Sequence, residues 1–262
     1  MNETPSLIEL LSADISDVDA SDEILLHGVN WSIQSGEFWV VGGRPASGKS
    51  SLLLTAAGLN RPAAGSLRVF GKDLAEAREK DQVAWRHQIG FVFEFGGRLF
   101  NRLTVAENVE LPLRYHSAIP ENSVAARVND LLALADLHAY AQHLPSRVSL
   151  AVQQRAALAR ALTATDGSAI YPKVLFLDNP LSTLSRRDCR WWLDFLPQLR
   201  ENHLRRGGTM TIIACAGDFR AWADVASHFA VIEDAGLRII GDRNQLAAST
   251  DSMVRELLAT EG

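Results

Sequence analysis

Residues 43–50 read Gly-Arg-Pro-Ala-Ser-Gly-Lys-Ser, the pattern G-x-x-x-x-G-K-[ST], between a short apolar run, EFWVVG, and a helix-forming stretch, SSLLLTAAGL. The order strand, glycine-bearing loop, helix leaves little choice of architecture. Glycines let backbone N–H groups turn inward on phosphate oxygens, and a helix starting near Lys49 aims its positive dipole end at the same place. In that arrangement Lys49 reaches the β and γ phosphates and the Ser50 hydroxyl ligates Mg²⁺. The predicted cradle is Gly43, Arg44, Pro45, Ala46, Ser47, Gly48, Lys49, Ser50 and Ser51. Ala46 stands where glycine would be freer, and if the position needs positive φ its methyl costs about 1 kcal/mol or more.

A second apolar run, Val174 to Leu177, ends at Asp178, and a third, TMTIIAC from Thr209 to Cys215, precedes the stretch DFRAWADVASHF, whose spacing is helical. These runs predict the core strands of a largely parallel sheet, so the fold class is α/β. A carboxylate at the C-terminal edge of such a strand can hold Mg²⁺, which makes Asp178 a metal ligand beside Ser50. Residues 104–165 read mostly as helix, with Pro112, Pro120 and Pro145 as breaks, and suggest a helical insert. Residues 233–241 read as a hairpin, and MVRELLA from Met253 as a short helix.

Composition restricts the partners. Of 262 residues, 26 are Lys or Arg and 31 are Asp or Glu, so the formal charge of −5 excludes a general nucleic-acid binder and any phosphate site must be local. No apolar run approaches the roughly 18 to 20 residues of a membrane span, and the acidic N-terminal stretch lacks the basic region of a signal peptide, so the expectation is a cytosolic chain. Cys189 and Cys215 have no ligand spacing and read as packing residues. The same holds for His27, His87, His116, His138, His143, His203 and His228, and for the Trp191-Trp192 pair.

Almost from end to end the sequence resembles the ATP-binding-cassette (ABC) ATPases. GVNWSIQSGEFWVVGG, AAGLNRPAAGSLRVFGKDL, IGFVFE, LTVAENVELPL, VSLAVQQRAALARAL, VLFLDNPLSTLS and HFAVIEDAGLRIIGD fall in that family's order and spacing. The resemblance implies a P-loop NTPase fold: one nucleotide-binding domain over 1–262 with a mainly parallel core sheet, an N-terminal antiparallel β part and a helical subdomain inserted at about 95–165. It implies ATP and Mg²⁺ as cofactors, and pairing with a second ABC subunit, as a homodimer or heterodimer. It further implies an integral-membrane permease whose coupling helix meets residues from about Glu94 to Tyr115, and so a cytoplasmic subunit peripheral on the inner face of the membrane. The stretches FGGRLFNRLTVAENVELPLRYHS and QQRAALARAL, with VRELLA, are similar to the MCE-associated, Mla-type ATPases of bacterial phospholipid trafficking. Lipoprotein-release and cell-division types share LTVAENVELPL-like segments. P-loop kinases and DNA-repair ATPases are disfavoured, because about a hundred residues separate Lys49 from Ser149 with no coiled-coil insert.

Several residues depart from the family's pattern. Its LSGGQ signature, which binds the γ-phosphate of the opposite subunit's nucleotide, aligns with Val148, Ser149, Leu150, Ala151 and Val152. Ser149 can still cap the helix, but Leu150 and Ala151 add side chains where backbone must approach an anion. The glutamate that positions or deprotonates the attacking water aligns with Asn179, and the switch histidine with Gly217. A carboxamide takes no proton near pH 7, and losing a general base costs about 10² to 10⁴ in rate. Where the family stacks an aromatic on adenine, residues 14–22 read DISDVDASD. Glu94 stands at the Q-loop glutamine. Two readings of it stay open: a conservative swap that keeps an oxygen ligand for Mg²⁺, or a carboxylate that partly replaces the one absent at Asn179. The sequence therefore predicts an ATP-binding transport subunit with impaired hydrolysis. Alternatives are a pseudo-ATPase with a structural or regulatory role, or the degenerate half of a heterodimer.

Overall fold

A computed structural model describes residues 6–18, 23–96, 98–116, 120–163 and 171–259. In chain order its strands and helices begin with β1 (Ile8–Ser16), β2 (Ile24–Ile33), β3 (Phe38–Gly42), α1 (Lys49–Ala56), β4 (Ala64–Val69), β5 (Lys72–Asp73) and α2 (Glu79–Arg86). There follow β6 (Ile89–Val92), α3 (Val105–His116), α4 (Glu121–Leu134), α5 (Leu150–Ala161), β7 (Val174–Asp178) and α6 (Arg186–Arg205). The chain closes through β8 (Thr211–Ala216), β9 (His228–Glu233), β10 (Gly236–Gly241), α7 (Arg243–Ala248) and α8 (Ser252–Leu258). These elements pack as two units, residues 1–85 with 211–262, and residues 86–210.

In the first unit β1, β2, β4 and β5 form an antiparallel sheet in the order β2-β1-β4-β5. Alternation along β2 buries Leu26, Val29, Trp31 and Ile33 and leaves the residues between them to solvent. β3 is different. All its residues are buried, because it pairs in parallel with β8 on one side, Val41 opposite Cys215, and with β9 on the other, Val41 opposite Ala230. β9 and β10 make the expected hairpin. Its turn residues Asp234 and Ala235 both have positive φ, 49° and 54°, the two-residue geometry that matches strand twist.

The second unit holds the helical insert. β6 and β7 pair in parallel, Ile89 opposite Val174 and Val92 opposite Leu177. α3, α4 and α5 pack on one another through Val105, Val109 and Leu113 of α3, Val124, Val128 and Leu131 of α4, and Ala156, Leu158 and Ala159 of α5. The loop before α3 is tied by Asn108, which is fully buried. Its amide nitrogen donates to the carbonyls of Phe100, Leu103 and Thr104, and its oxygen accepts from Phe100 N at 2.8 Å. Trp191 stacks on Phe195 at 4.7 Å and Trp192 is buried, so the tryptophan pair packs.

Two local expectations fail. The stretch 218–229 is not a helix: single turns, closed by Trp222 N to Phe219 O and Ala226 N to Trp222 O, lead directly into β9. Its apolar spacing is used to bury Phe219 and Trp222, and the ladder stops because Ser227 exchanges hydrogen bonds with the backbone of Phe38 in β3. Pro112 does not break its helix but lies inside α3. The proline deprives the Asn108 carbonyl of its helical partner, yet the apolar face from Val105 to Leu113 stays buried on both sides of it, so packing overrides the propensity. Pro120 does cap the start of α4, and Pro145 opens a short 3₁₀ turn.

Gly90 in β6 is a close-approach glycine. A Cβ there would stand 2.7 Å from the Ala161 carbonyl at the end of α5 and 3.1 Å from the Leu175 side chain. Gly90→Ala is expected to lower the urea midpoint by the equivalent of about 1–3 kcal/mol with an unchanged m-value. An unchanged midpoint would mean that α5 is free to move off the strand.

Candidate functional site

The phosphate loop lies wholly in the first unit. β3 delivers the chain at Gly42, where a Cβ would stand 2.6 Å from the side chains of Phe219 and Leu257, so only glycine lets α8 and the 219 turn close on the strand end. At Gly43 a Cβ would lie 2.7 Å from Ser47 Oγ, inside the loop itself. Gly48 has φ 93° and forms the N-cap of α1; no side chain caps that helix and no acidic residue occupies its first turn. The Lys49 amine folds back over the loop and donates to the carbonyls of Gly43 and Arg44, each at 2.6 Å. Ser51 is buried and Ser50 half-buried. A cradle that a Cβ would fill, an uncapped helix N-terminus and an inward ammonium together fit a chain of phosphates.

Ala46 has φ 59°, so the strained position foreseen from its methyl is real. Arg44 was predicted only as part of the cradle. In the structure it reaches Glu256 of α8 at 2.8 Å, and this bond raises the pKa of Arg44 and lowers that of the Glu256 carboxyl. Both side chains are exposed, so the clasp orients the loop more than it stabilises the fold. Beside the loop a cavity of about 230 Å³ is lined by Leu25, Ala46, Ser47, Ile232, Asp234 and Met253, among others. Among the described residues no aromatic side chain lines it. Of the acidic stretch 14–22, residues 19–22 lie outside the described residues; Asp14 spends one carboxylate oxygen on the backbone N–H of Gly28. Gly217 follows β8 directly, and a Cβ on it would meet nothing within 4 Å.

The acidic residues lie in the second unit. Asp178 closes β7 and is buried, and Asn179 follows in the left-handed region with φ 46°. Because β6 and β7 run parallel with Val92 opposite Leu177, the chains leave both strands on the same edge and in step. Two residues further on, Asn179 Nδ2 donates to Glu94 Oε1 at 2.6 Å. The sequence left open whether Glu94 keeps an oxygen for Mg²⁺ or partly replaces the carboxylate absent at Asn179; the direct bond between the two residues, which the strand register supplies, was not foreseen.

Beyond Glu94 the chain turns through Phe95 and Gly96, both with positive φ, and packs on the start of α5: a Cβ at Gly96 would meet Gln153 Oε1 at 2.6 Å and Leu150 at 3.4 Å. Ser149 caps α5 by accepting from Val152 N at 3.4 Å, as expected. Ala151 and Val152 are buried, while Leu150 is partly exposed, so Leu150 crowds the helix start on its outer side. Among the described residues no group of three or more His, Cys, Asp or Glu assembles a metal site. Of the residues that the resemblance assigns to Mg²⁺, Ser50 lies in the first unit and Asp178 and Glu94 in the second, and each carries an oxygen of the kind that a hard cation takes.

A model of the ABC transporter family matches residues 26–182, more than half of the chain. The methionine import ATP-binding protein MetN of Clostridium acetobutylicum is 31% identical over 234 residues, 89% of this chain and 69% of its own. The sulfate/thiosulfate import ATP-binding protein CysA of Nephroselmis olivacea is 33% identical over 242 residues, 91% of this chain and 64% of its own. The chain thus spans about two thirds of the length of these curated relatives. A solved structure of the ATP-binding cassette MJ0796, dimeric and bound to ADP and Pi in a post-hydrolysis state, matches with TM-score 0.75 and 26% identity, covering 89% of this chain and 98% of its own.

The left-handed backbone at Ala46 has a direct test. Ala46→Gly is expected to hold or raise the melting temperature, by the equivalent of up to about 1 kcal/mol, since glycine adopts positive φ without the Cβ penalty. Ala46→Val should lower it. A melting temperature that drops in Ala46→Gly and not in Ala46→Val would contradict the assigned loop conformation.

Proposed function

The chain belongs to the ABC transporter family, and on that premise we propose that it is the ATP-binding subunit of an ABC transport complex, paired with a second cassette and docked on an integral-membrane permease. The observation that carries this reading is the phosphate loop, with Lys49 turned onto the carbonyls of Gly43 and Arg44 at the uncapped start of α1. Gly43 to Ser51 hold the nucleotide, and Ser50 and Asp178 are the Mg²⁺ ligands assigned by the family resemblance. The magnesium nucleotide supplies an electrophilic terminal phosphorus. The protein's part is to neutralise phosphate charge with Lys49 and loop amides and to keep the chain of phosphates extended.

The partner surface belongs to the second unit. Phe95, Phe100 and Tyr115 are all more than half exposed, and Tyr115 reaches 74%. Aromatic side chains in water favour burial against an apolar partner element, which fits docking of a permease helix on the segment from Glu94 to Tyr115. No helix among the described residues is long and apolar enough to cross a membrane, so the membrane path would come from another chain and this subunit would sit on the cytoplasmic face. The net charge of −5 argues against a nucleic-acid partner. As to cargo, the relatives are named for methionine and for sulfate or thiosulfate import. Those names favour a small nutrient over the phospholipid suggested by the Mla-like stretches.

A second reading, in which ATP is bound but not turned over and the subunit is structural or regulatory, is favoured by Asn179 and Gly217. The first cannot accept a proton and the second has no side chain. Titration of the purified chain with Mg·ATP, followed by phosphate release alone and with its permease, separates the readings. Lys49→Ala is expected to weaken Mg·ATP binding by about tenfold to 100-fold, the loss of a charge-assisted contact worth roughly 1.5–3 kcal/mol. Unaltered affinity in that variant would contradict the assigned site, and tight binding without release would favour the second reading.

A further inference from the structure

Within the first unit, helix α8 reaches the phosphate loop through Arg44. The guanidinium donates twice to the Glu256 carboxylate, Nη2 to Oε2 at 2.8 Å and Nε to Oε1 at 3.3 Å, a two-pronged geometry that fixes direction as well as distance. On its other side the same residue is held by its backbone: the Arg44 carbonyl accepts from Lys49 Nζ at 2.6 Å and from Ser47 N at 3.3 Å. Arg44 therefore joins the ammonium over the loop to a helix outside it. Ala46 and Ser47 line the cavity of about 230 Å³ together with Met253 of α8, so open space lies beside that part of the loop.

The helix is itself fixed. Asp251 caps it by accepting from Val254 N at 3.0 Å and pairs with Arg238 of β10 at 2.8 Å, while Val254 and Leu257 are buried. Leu257 also gives its carbonyl to Phe219 N at 2.8 Å. The loop needs such a support, because Ala46 has φ 59°, a conformation that a non-glycine residue keeps only where its surroundings impose it. The hold from Lys49 is exchangeable. Phosphate oxygens are charged acceptors and draw an ammonium away from neutral carbonyls. The hold from Glu256 does not depend on where that ammonium points.

We propose that Glu256 is a positioning residue for the phosphate loop: through Arg44 it braces the loop in its nucleotide-binding path once Lys49 has moved to the phosphates, so that docking of α8 and binding of nucleotide favour each other. The proposal rests on the reading of the chain as a nucleotide-binding subunit. Glu256 acts through Arg44 and touches no nucleotide. Because coupling between two sites is reciprocal, nucleotide in the loop also tightens α8 onto it. The sign of the effect separates a brace from a charge acting at a distance. Removing an acidic side chain near an anion site lowers repulsion, so a purely electrostatic influence makes Glu256→Gln bind nucleotide more tightly. A brace makes it bind more weakly, since a carboxamide offers Arg44 a single acceptor oxygen and no charge.

The experiment measures Mg·ADP affinity by calorimetry, melting temperature, and amide hydrogen exchange across α8, for the full chain, Glu256→Gln, Arg44→Gln and the double variant. In Glu256→Gln the affinity is expected to fall by about threefold, the scale of an exposed ion pair, with the melting temperature of the nucleotide-free chain unchanged. Arg44→Gln should also bind more weakly, and the double variant no more weakly than the weaker single one, the non-additivity of a shared contact. Mg·ADP should slow exchange in α8 of the wild-type chain and do so less in Glu256→Gln. Unchanged or tighter binding by Glu256→Gln, additive losses in the double variant, or exchange in α8 that ignores nucleotide would each overturn the brace. A lowered melting temperature with unchanged affinity would mark a merely structural contact and overturn it too. If the wild-type chain binds Mg·ADP through Lys49 and any of these results appears, the brace falls and the nucleotide-binding reading stands; if it binds no Mg·ADP, that reading falls as well.

Discussion

Parallel pairing of fully buried strands is the constraint on which the chemistry of this chain depends. A parallel strand buried on both faces carries few polar side chains along its length, so polar groups collect where strands end, and parallel neighbours end on the same edge. In the first unit β3, flanked by β8 and β9, ends in the phosphate loop, and β8, with Ala216 opposite Gly42, ends at Gly217. In the second unit β6 and β7 end in step, and their next residues include Glu94, Asp178 and Asn179. Each unit thus presents its chemistry as a consequence of how its strands are laid down.

Glycine and hydrogen-bond polarity then refine what the strands deliver. Gly42 and Gly43 stand where any Cβ would strike a neighbour, so the loop's path is dictated by side chains outside it, Phe219 and Leu257 among them. Lys49 bonds two carbonyls of the loop and so holds its ammonium over the loop's inner side. In the second unit Asn179 donates to Glu94, so two departures from the family's pattern that the sequence shows one at a time are joined by a single hydrogen bond.

Much of this was legible in the sequence because it follows from local pattern. The apolar runs at 37–42, 174–177 and 209–215 became strands, the hairpin at 233–241 formed, and the loop from Gly43 to Ser50 lies between a strand and a helix. Even the positive φ at Ala46 was foreseeable from where a glycine would be freer. Failures arose where a distant contact overrides a local signal. Helical spacing over 218–229 was real but served to bury Phe219 and Trp222 through isolated turns, because Ser227 is claimed by the backbone of Phe38, far away in the chain. Pro112 was expected to end a helix that packing carries past it. The contact between residues 94 and 179 depends on the register of two strands widely separated in sequence, which no single-chain pattern encodes.

The family relationship and the likeness to solved cassettes account for the fold, and the phosphate loop carries the reading of the chain as a nucleotide-binding subunit. A crystal structure of the chain with Mg·ADP tests that reading most directly. The account predicts that Lys49 Nζ leaves the carbonyls of Gly43 and Arg44 and donates to a phosphate oxygen held in the loop. Nucleotide bound away from the loop, with Lys49 still on those two carbonyls, would contradict it.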